Sequence, residues 1–136
     1  MSIDEELFSK IKELTLKLHI IQKQVINEID ISPSEYKVLS ILALNGELTQ
    51  TTLSEVCYMD KPATSRIIRK MNSASLINKK KKAGNKKVVY ISLTEKGKLL
   101  ANEIKKKNST FKENKFKALN DTDKQTLLNL IDKILV

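Results

Sequence analysis

A chain of 136 residues has room for one ordinary domain and too little for two. With 40% hydrophobic and 4% aromatic residues, no Trp, three Gly and two Pro, it lacks the aromatics and turn residues of an all-β protein and suits helices with one small β element. Its +9 charge is concentrated: Lys61 to Lys98 holds twelve Lys or Arg against one acid, Glu95, a net of +11, and the remainder sums to −2. One basic stretch on a near-neutral body excludes a merely solubilising surface charge and points to a polyanion, with nucleic acid preferred to membrane because the stretch reads as folded structure.

In chain order, Met1 to Glu6 lacks the apolar core of a signal peptide, and no stretch approaches the roughly 20 apolar residues of a membrane span, so a cytoplasmic location away from membranes is expected. From Leu7, the apolar residues Leu7, Ile11, Leu14, Leu18, Ile21 and Val25 recur at spacings of four and three, the seam along which one helix packs on another. Leu16, Ile20 and Ile26 add a second flank, so this helix needs cover on two sides, from its own domain and from a partner chain. Ser32-Pro33-Ser34-Glu35 reads as a helix start with a capping box, and Asn45-Gly46 as its end. Thr49 caps a further segment in which Leu53, Val56 and Cys57 share a face. After a break at Tyr58-Met59, Asp60 or Lys61 caps the next helix with Pro62 in its first turn, and the pair outlines a helix-turn-helix.

Projected at 100° per residue, this last helix gathers Ala63, Thr64, Ile67, Ile68, Met71 and Ala74 on one side and Pro62, Ser65, Arg66, Arg69 and Ser73 on the other, flanked by Lys70. Short hydroxyls and arginines are donors that reach phosphates and base edges in a major groove. Ile77 begins an extended run, Lys79 to Lys82 is basic, Ala83-Gly84-Asn85 turns, and Lys86-Lys87 leads into the β-branched and aromatic stretch Val88 to Leu93, a hairpin with lysines at its tip. Such a wing suits a DNA backbone, where each neutralised phosphate releases counterions. The lysines at 79–82 are divided by strand alternation between facing the DNA and facing away. Thr94 caps a long helix with Leu99, Leu100, Ile104 and Phe111 as its stripe and an end near Leu119. Asn120 caps a last helix with Leu127, Leu130, Ile131, Ile134 and Leu135, apolar enough to want burial against a second subunit.

In their order and spacing, these residues resemble the multiple-antibiotic-resistance-regulator (MarR) family over nearly the whole chain. Ser34 to Leu39 resembles the start of that family's second helix, Leu48-Thr49 with Leu53 its third, and Asp60 to Met71 its recognition helix; Leu76-Ile77 enters the wing, and Leu93-Thr94-Glu95-Lys96-Gly97 matches the Leu-Thr-x-x-Gly motif after it. The resemblance implies a mainly α fold with a small β-hairpin wing, a winged helix-turn-helix lobe at 32–98 and dimerisation helices at 1–30 and 99–136. It further implies a two-fold homodimer, recognition helices in major grooves, wings at the minor groove, and in many members a small-molecule or redox effector. Three positions depart from the family: Asn85-Lys86-Lys87 stands where an Asp and an Arg are common, and Tyr58 and Ser75 stand where Gly is usual. Lysine is a poorer minor-groove reader than arginine.

The expected function is therefore a sequence-specific regulator binding double-stranded DNA, a repressor on a palindromic operator with half-sites about one helical turn apart, released by a small-molecule effector. Its DNA contacts are Lys61, Pro62, Ser65, Arg66, Arg69, Lys70, Lys86 and Lys87. His19 and Tyr36 are the candidates for an effector pocket, against the commoner role of a lone helical His in a structural hydrogen bond. Cys57 reads first as a small buried hydrophobe and second as a redox switch. A protein-interaction module whose basic stretch meets an acidic protein is the other alternative. No Gly-rich phosphate loop, no nucleophile with a His partner and no paired carboxylates outside charged helix faces are found, so neither enzyme activity, metal nor cofactor is expected.

Overall fold

A computed structural model of the chain describes residues 1–85 and 87–136. Six helices and three short strands follow in the order α1 (Ile3–Ile29), α2 (Pro33–Asn45), β1 (Leu48–Thr49), α3 (Gln50–Val56), α4 (Lys61–Ser73), β2 (Ile77–Lys81), β3 (Val89–Leu93), α5 (Glu95–Phe116) and α6 (Asp121–Leu135). The start signals act as the sequence predicts. Ser32 and Glu35 form a reciprocal capping box, Thr49, Asp60 and Thr94 each accept from a first-turn amide, and Asn120 pairs with Asp123. Helix α1 begins earlier than its apolar seam, at a capping box of Ser2 and Glu5.

The strands form one antiparallel sheet in the order β1-β3-β2. Ile77 pairs with Leu93 and Lys81 with Val89 along the hairpin, while Leu48 pairs with Ile91. Val88 lies outside β3, and the two-residue β1 is an addition to the expected hairpin: Leu48-Thr49 carries too little pattern to announce a strand, and only the edge of β3 makes it one.

One core unites the elements. Val25, Val38, Leu39, Leu42, Leu53, Cys57, Ile67, Ile68, Met71, Leu76, Ile77, Ile91, Leu93 and Ile104 are buried together. Three expected core positions are corrected. Val56 is 42% exposed because α3 ends there, and Leu53 and Cys57, one turn apart, take the inward face. Ala74 is exposed because it is the C-cap of α4, outside the helical phase. Leu99 is 71% exposed, since Gly97, Leu100, Ala101 and Ile104 form the packed stripe and Leu99 lies about 200° around from Gly97. Helix α5 ends at Phe116, one turn before Leu119.

Tyr58 and Ser75, which stand where Gly is expected, lie in turns of one kind. After α3, Tyr58 N–H donates to the Glu55 carbonyl and Met59 N–H to that of Ser54; after α4, Ser75 N–H donates to Asn72 and Leu76 N–H to Met71. Both are Schellman motifs, whose first residue past the cap is left-handed, and Tyr58 and Ser75 accordingly have φ of 52° and 60°. Gly97 answers a different need: a Cβ there would overlap the Leu76 carbonyl, so α5 reaches the sheet only without a side chain at this point.

Tyr58 is 94% exposed, so it has little packing to set against its left-handed strain of roughly 1–2 kcal/mol. Tyr58→Gly is expected to stabilise the fold by about 0.5–1 kcal/mol after the larger backbone entropy of glycine is deducted. Urea unfolding monitored by circular dichroism measures this, and a lower midpoint for the variant would contradict it.

Candidate nucleic-acid interface

Helix α4 divides as its projection predicts. Thr64, Ile67, Ile68 and Met71 are buried, while Lys61, Pro62, Arg66, Arg69 and Lys70 are exposed and Ser65 is half-buried. The polar Thr64 is satisfied inside the core: its hydroxyl donates to the Asp60 carbonyl at 2.8 Å and accepts from Ser54 Oγ at 2.8 Å. Among the described residues, Lys61, Arg66, Arg69 and Lys87 make no ion pair with a carboxylate. Their charge is directed to solvent.

Two cations beside this face, one on α4 and one at the wing, are engaged with acids. Lys70 Nζ meets Glu35 Oε1 at 2.9 Å, which ties the exposed side of α4 to the capping box of α2, where the same oxygen accepts from Ser32 N–H. Lys82 Nζ meets Glu47 Oε1 at 3.0 Å and lies 4.2 Å from the Tyr90 ring centroid. The hydrogen bond to Glu47, aided by that carboxylate's charge, holds the Lys82 ammonium above the usual lysine range. Lys82 is thus an anchor at the wing base, whereas Lys79, Lys80 and Lys81 are exposed along β2. Lys86 lies outside the described residues, so its expected contact has no geometry.

A cleft of about 440 Å³ joins α3, α4 and the wing, lined by Lys61 and Ser65, by Lys87, Val88 and Val89, and by Thr49, Gln50, Thr51 and Ser54. Gln50 Nε2 donates to Ser65 Oγ at 3.2 Å. Gln50 and Thr51 were not among the expected contacts, since neither is basic nor on α4; their place at the start of α3, the first helix of the helix-turn-helix, was the available signal.

The expected effector residues are separated in role. His19 is exposed on α1; Tyr36 is half-buried against the core, and its hydroxyl accepts from Asn108 Nδ2 at 3.0 Å. A larger groove of about 1050 Å³ lies between α2, the sheet and α5, and neither His19 nor Tyr36 lines it, although Asn108 does. Its floor includes Leu42, Leu93, Ala101 and Ile104, and Lys98, Lys105 and Lys112 recur along it every seven residues.

Cys57 is 3% exposed in the core, and burial raises its thiol above the ordinary value, with Lys37 opposing weakly. Among the described residues no cluster of His, Cys, Asp and Glu could hold a metal, and no helix is long and apolar enough to cross a membrane.

A helix-turn-helix whose second helix turns a basic side outward, followed by an antiparallel wing, defines a winged helix-turn-helix protein. A model of the MarR family matches residues 31–89. The chain is 26% identical over 82 residues to the HTH-type transcriptional regulator FarR of Neisseria gonorrhoeae, covering 60% of this chain and 56% of that protein. It is 28% identical over 94 residues to the organic hydroperoxide resistance transcriptional regulator of Bacillus subtilis, covering 69% and 61%. It therefore spans less than two thirds of the length of these curated relatives. The crystal structure of NadR in complex with 4-hydroxyphenylacetate superimposes with a TM-score of 0.80 at 20% identity, over 98% of this chain and 92% of that one. Similarity to the MarR family is thus shown over residues 31–89.

Since the thiolate is the nucleophile, a buried thiol of raised pKa should alkylate slowly. Iodoacetamide at pH 8 is expected to modify native Cys57 at least about tenfold more slowly than the urea-unfolded chain. Equal rates, followed by mass spectrometry, would place this cysteine at the surface.

Proposed function

We propose that the protein is a transcriptional regulator that binds double-stranded DNA sequence-specifically as a homodimer, acting as a repressor on a palindromic operator. The observation that carries this reading is the side of α4 holding Lys61, Ser65, Arg66 and Arg69, in which neither arginine is ion-paired among the described residues. Arginine offers a planar fork of donors matched to guanine edges and phosphates, and Lys87 adds a point charge from the wing.

Dimerisation is supported by the ends of the chain. Leu7, Ile11, Leu14 and Leu18 of α1 and Leu127, Leu130, Ile131 and Ile134 of α6 are each at least 40% exposed. So many large apolar side chains on two helices favour association that covers them. A two-fold pair presents two recognition helices, and half-sites about one helical turn apart follow from that symmetry.

The groove between α2 and α5 is the effector site of this reading. Lys98 is paired with Glu95, which also lines the groove, at 3.2 Å; an apolar floor beside Lys105 and Lys112, which make no ion pair among the described residues, fits an organic anion, an apolar body with a carboxylate. NadR was solved with 4-hydroxyphenylacetate, a molecule of that chemistry.

Selection of bound fragments from the source genome supplies the operator. Arg66→Ala and Arg69→Ala are each expected to weaken operator binding by about 1–3 kcal/mol while relaxing base preference, and Lys87→Gln to weaken all duplexes alike with a salt slope smaller by about one. Fluorescence anisotropy over a salt series measures both. Parental binding by all three variants would overturn the interface. Sedimentation equilibrium should return twice the 15.5 kDa chain mass, and a monomer at micromolar concentration would overturn the homodimer.

A further inference from the structure

We propose that the cleft between the start of α3, the start of α4 and the wing base seats one phosphodiester group of the DNA backbone, with Gln50 as the residue that positions Ser65 to bind it. The inference rests on the DNA-binding reading above and adds to it a backbone site at the edge of the outward side of α4, shared with the start of α3 and the wing.

The hydrogen-bonding chemistry of the cleft has one direction. A serine hydroxyl has one proton and two lone pairs. Gln50 Nε2 donates to Ser65 Oγ, so a lone pair is occupied and the Ser65 proton is left to donate. Among the described residues no oxygen accepts that proton, and the deeper hydroxyls are bonded to one another. Thr64 gives its own proton to the Asp60 carbonyl and accepts from Ser54, so Ser54 is committed too. Thr49 Oγ1 likewise donates to Thr52 Oγ1 while accepting from the Thr52 amide.

The donors that remain on the lining side chains are the Ser65 hydroxyl, the second Gln50 amide proton, the Lys61 and Lys87 ammonium groups and the exposed Thr51 hydroxyl, and among the described residues no acidic side chain lines the cleft. A cavity rich in donors and cations, without a carboxylate, is complementary to an anion with several acceptor oxygens. The phosphodiester is favoured as its occupant because Lys61 and Ser65 adjoin Arg66 and Arg69 on α4, making the cleft continuous with the face assigned to DNA. Contact there would join α3, the recognition helix and the wing to one point of the backbone, fixing the depth of α4 in its groove.

The test is binding of the full-length protein to a fluorescein-labelled random-sequence duplex across a salt series, with melting temperatures alongside. Gln50→Ala and Ser65→Ala are each expected to weaken binding about 3- to 10-fold, the net worth of one hydrogen bond made in competition with water. The double variant should lose no more than the weaker-binding single. Gln50→Glu should weaken binding by more than about tenfold at an unchanged melting temperature, because its carboxylate accepts the Ser65 proton and repels the phosphate. Binding within twofold of wild type by all three single variants overturns the phosphate seat. Independent, multiplying losses from Gln50→Ala and Ser65→Ala overturn the positioning role. Should Gln50→Glu melt lower, Thr51→Glu decides in its place, since an acid in the first turn suits a helix: a tenfold loss supports the seat and wild-type binding overturns it. Failure of the wild-type chain to bind any duplex is a separate result, which overturns the DNA reading itself.

Discussion

Burial of Thr64, Ile67, Ile68 and Met71 on one side of α4 fixes that helix's rotation, and the direction of every basic group it carries follows from this. At 100° per residue, any other rotation would push Arg66 or Arg69 towards the core and expose Ile67 or Ile68. A buried unpaired guanidinium costs several kcal/mol, and large aliphatic core residues contribute on the order of 2–5 kcal/mol each. Both penalties oppose the same movement. The Asp60–Thr64–Ser54 chain of hydrogen bonds adds a directional lock between α3 and α4 that apolar packing alone lacks.

Electrostatics then operates on a fixed frame. The basic stretch is less free than its composition suggests, because Lys70 is held by Glu35 and Lys82 by Glu47 and the Tyr90 ring. Both acids lie outside the stretch, in the near-neutral part of the chain. They convert two cations into braces, one between α2 and α4 and one at the wing base; with Lys98 paired to Glu95 and Lys96 donating to the Ala74 carbonyl, the charge left in the stretch among the described residues is that of Lys61, Arg66, Arg69, Lys87 and the exposed β2 lysines.

Much of this was legible in the sequence because it depends on neighbours within one helical turn. The capping residues, the break at Tyr58-Met59, the two faces of α4 and the Gly46 terminus all follow from local chemistry. What was not legible depends on partners distant along the chain. Leu48-Thr49 becomes a strand only beside Ile91 and Tyr90; Glu35 reaches Lys70, and Gln50 reaches Ser65, across turns whose geometry no spacing states. Val56 and Leu99 were misplaced because an apolar residue at helical spacing says which side it could take, and the neighbouring elements decide whether that side is covered. The departures at Tyr58 and Ser75 leave the turns intact, since the Schellman hydrogen bonds impose the left-handed backbone on whatever residue stands there.

The junction between α4 and α5 reaches further than its size. Thr94 donates to the carbonyls of Ser75 and Leu76 from its hydroxyl and amide, Lys96 Nζ donates to that of Ala74, and Gly97 closes against Leu76. The carboxyl end of one helix is thereby bolted to the amino end of another whose 22 residues span about 33 Å. Such a rod is a lever arm: a small tilt at its far end would swing the attached α4, and in the homodimer proposed above the angle between paired rods would set the distance between the two copies of α4.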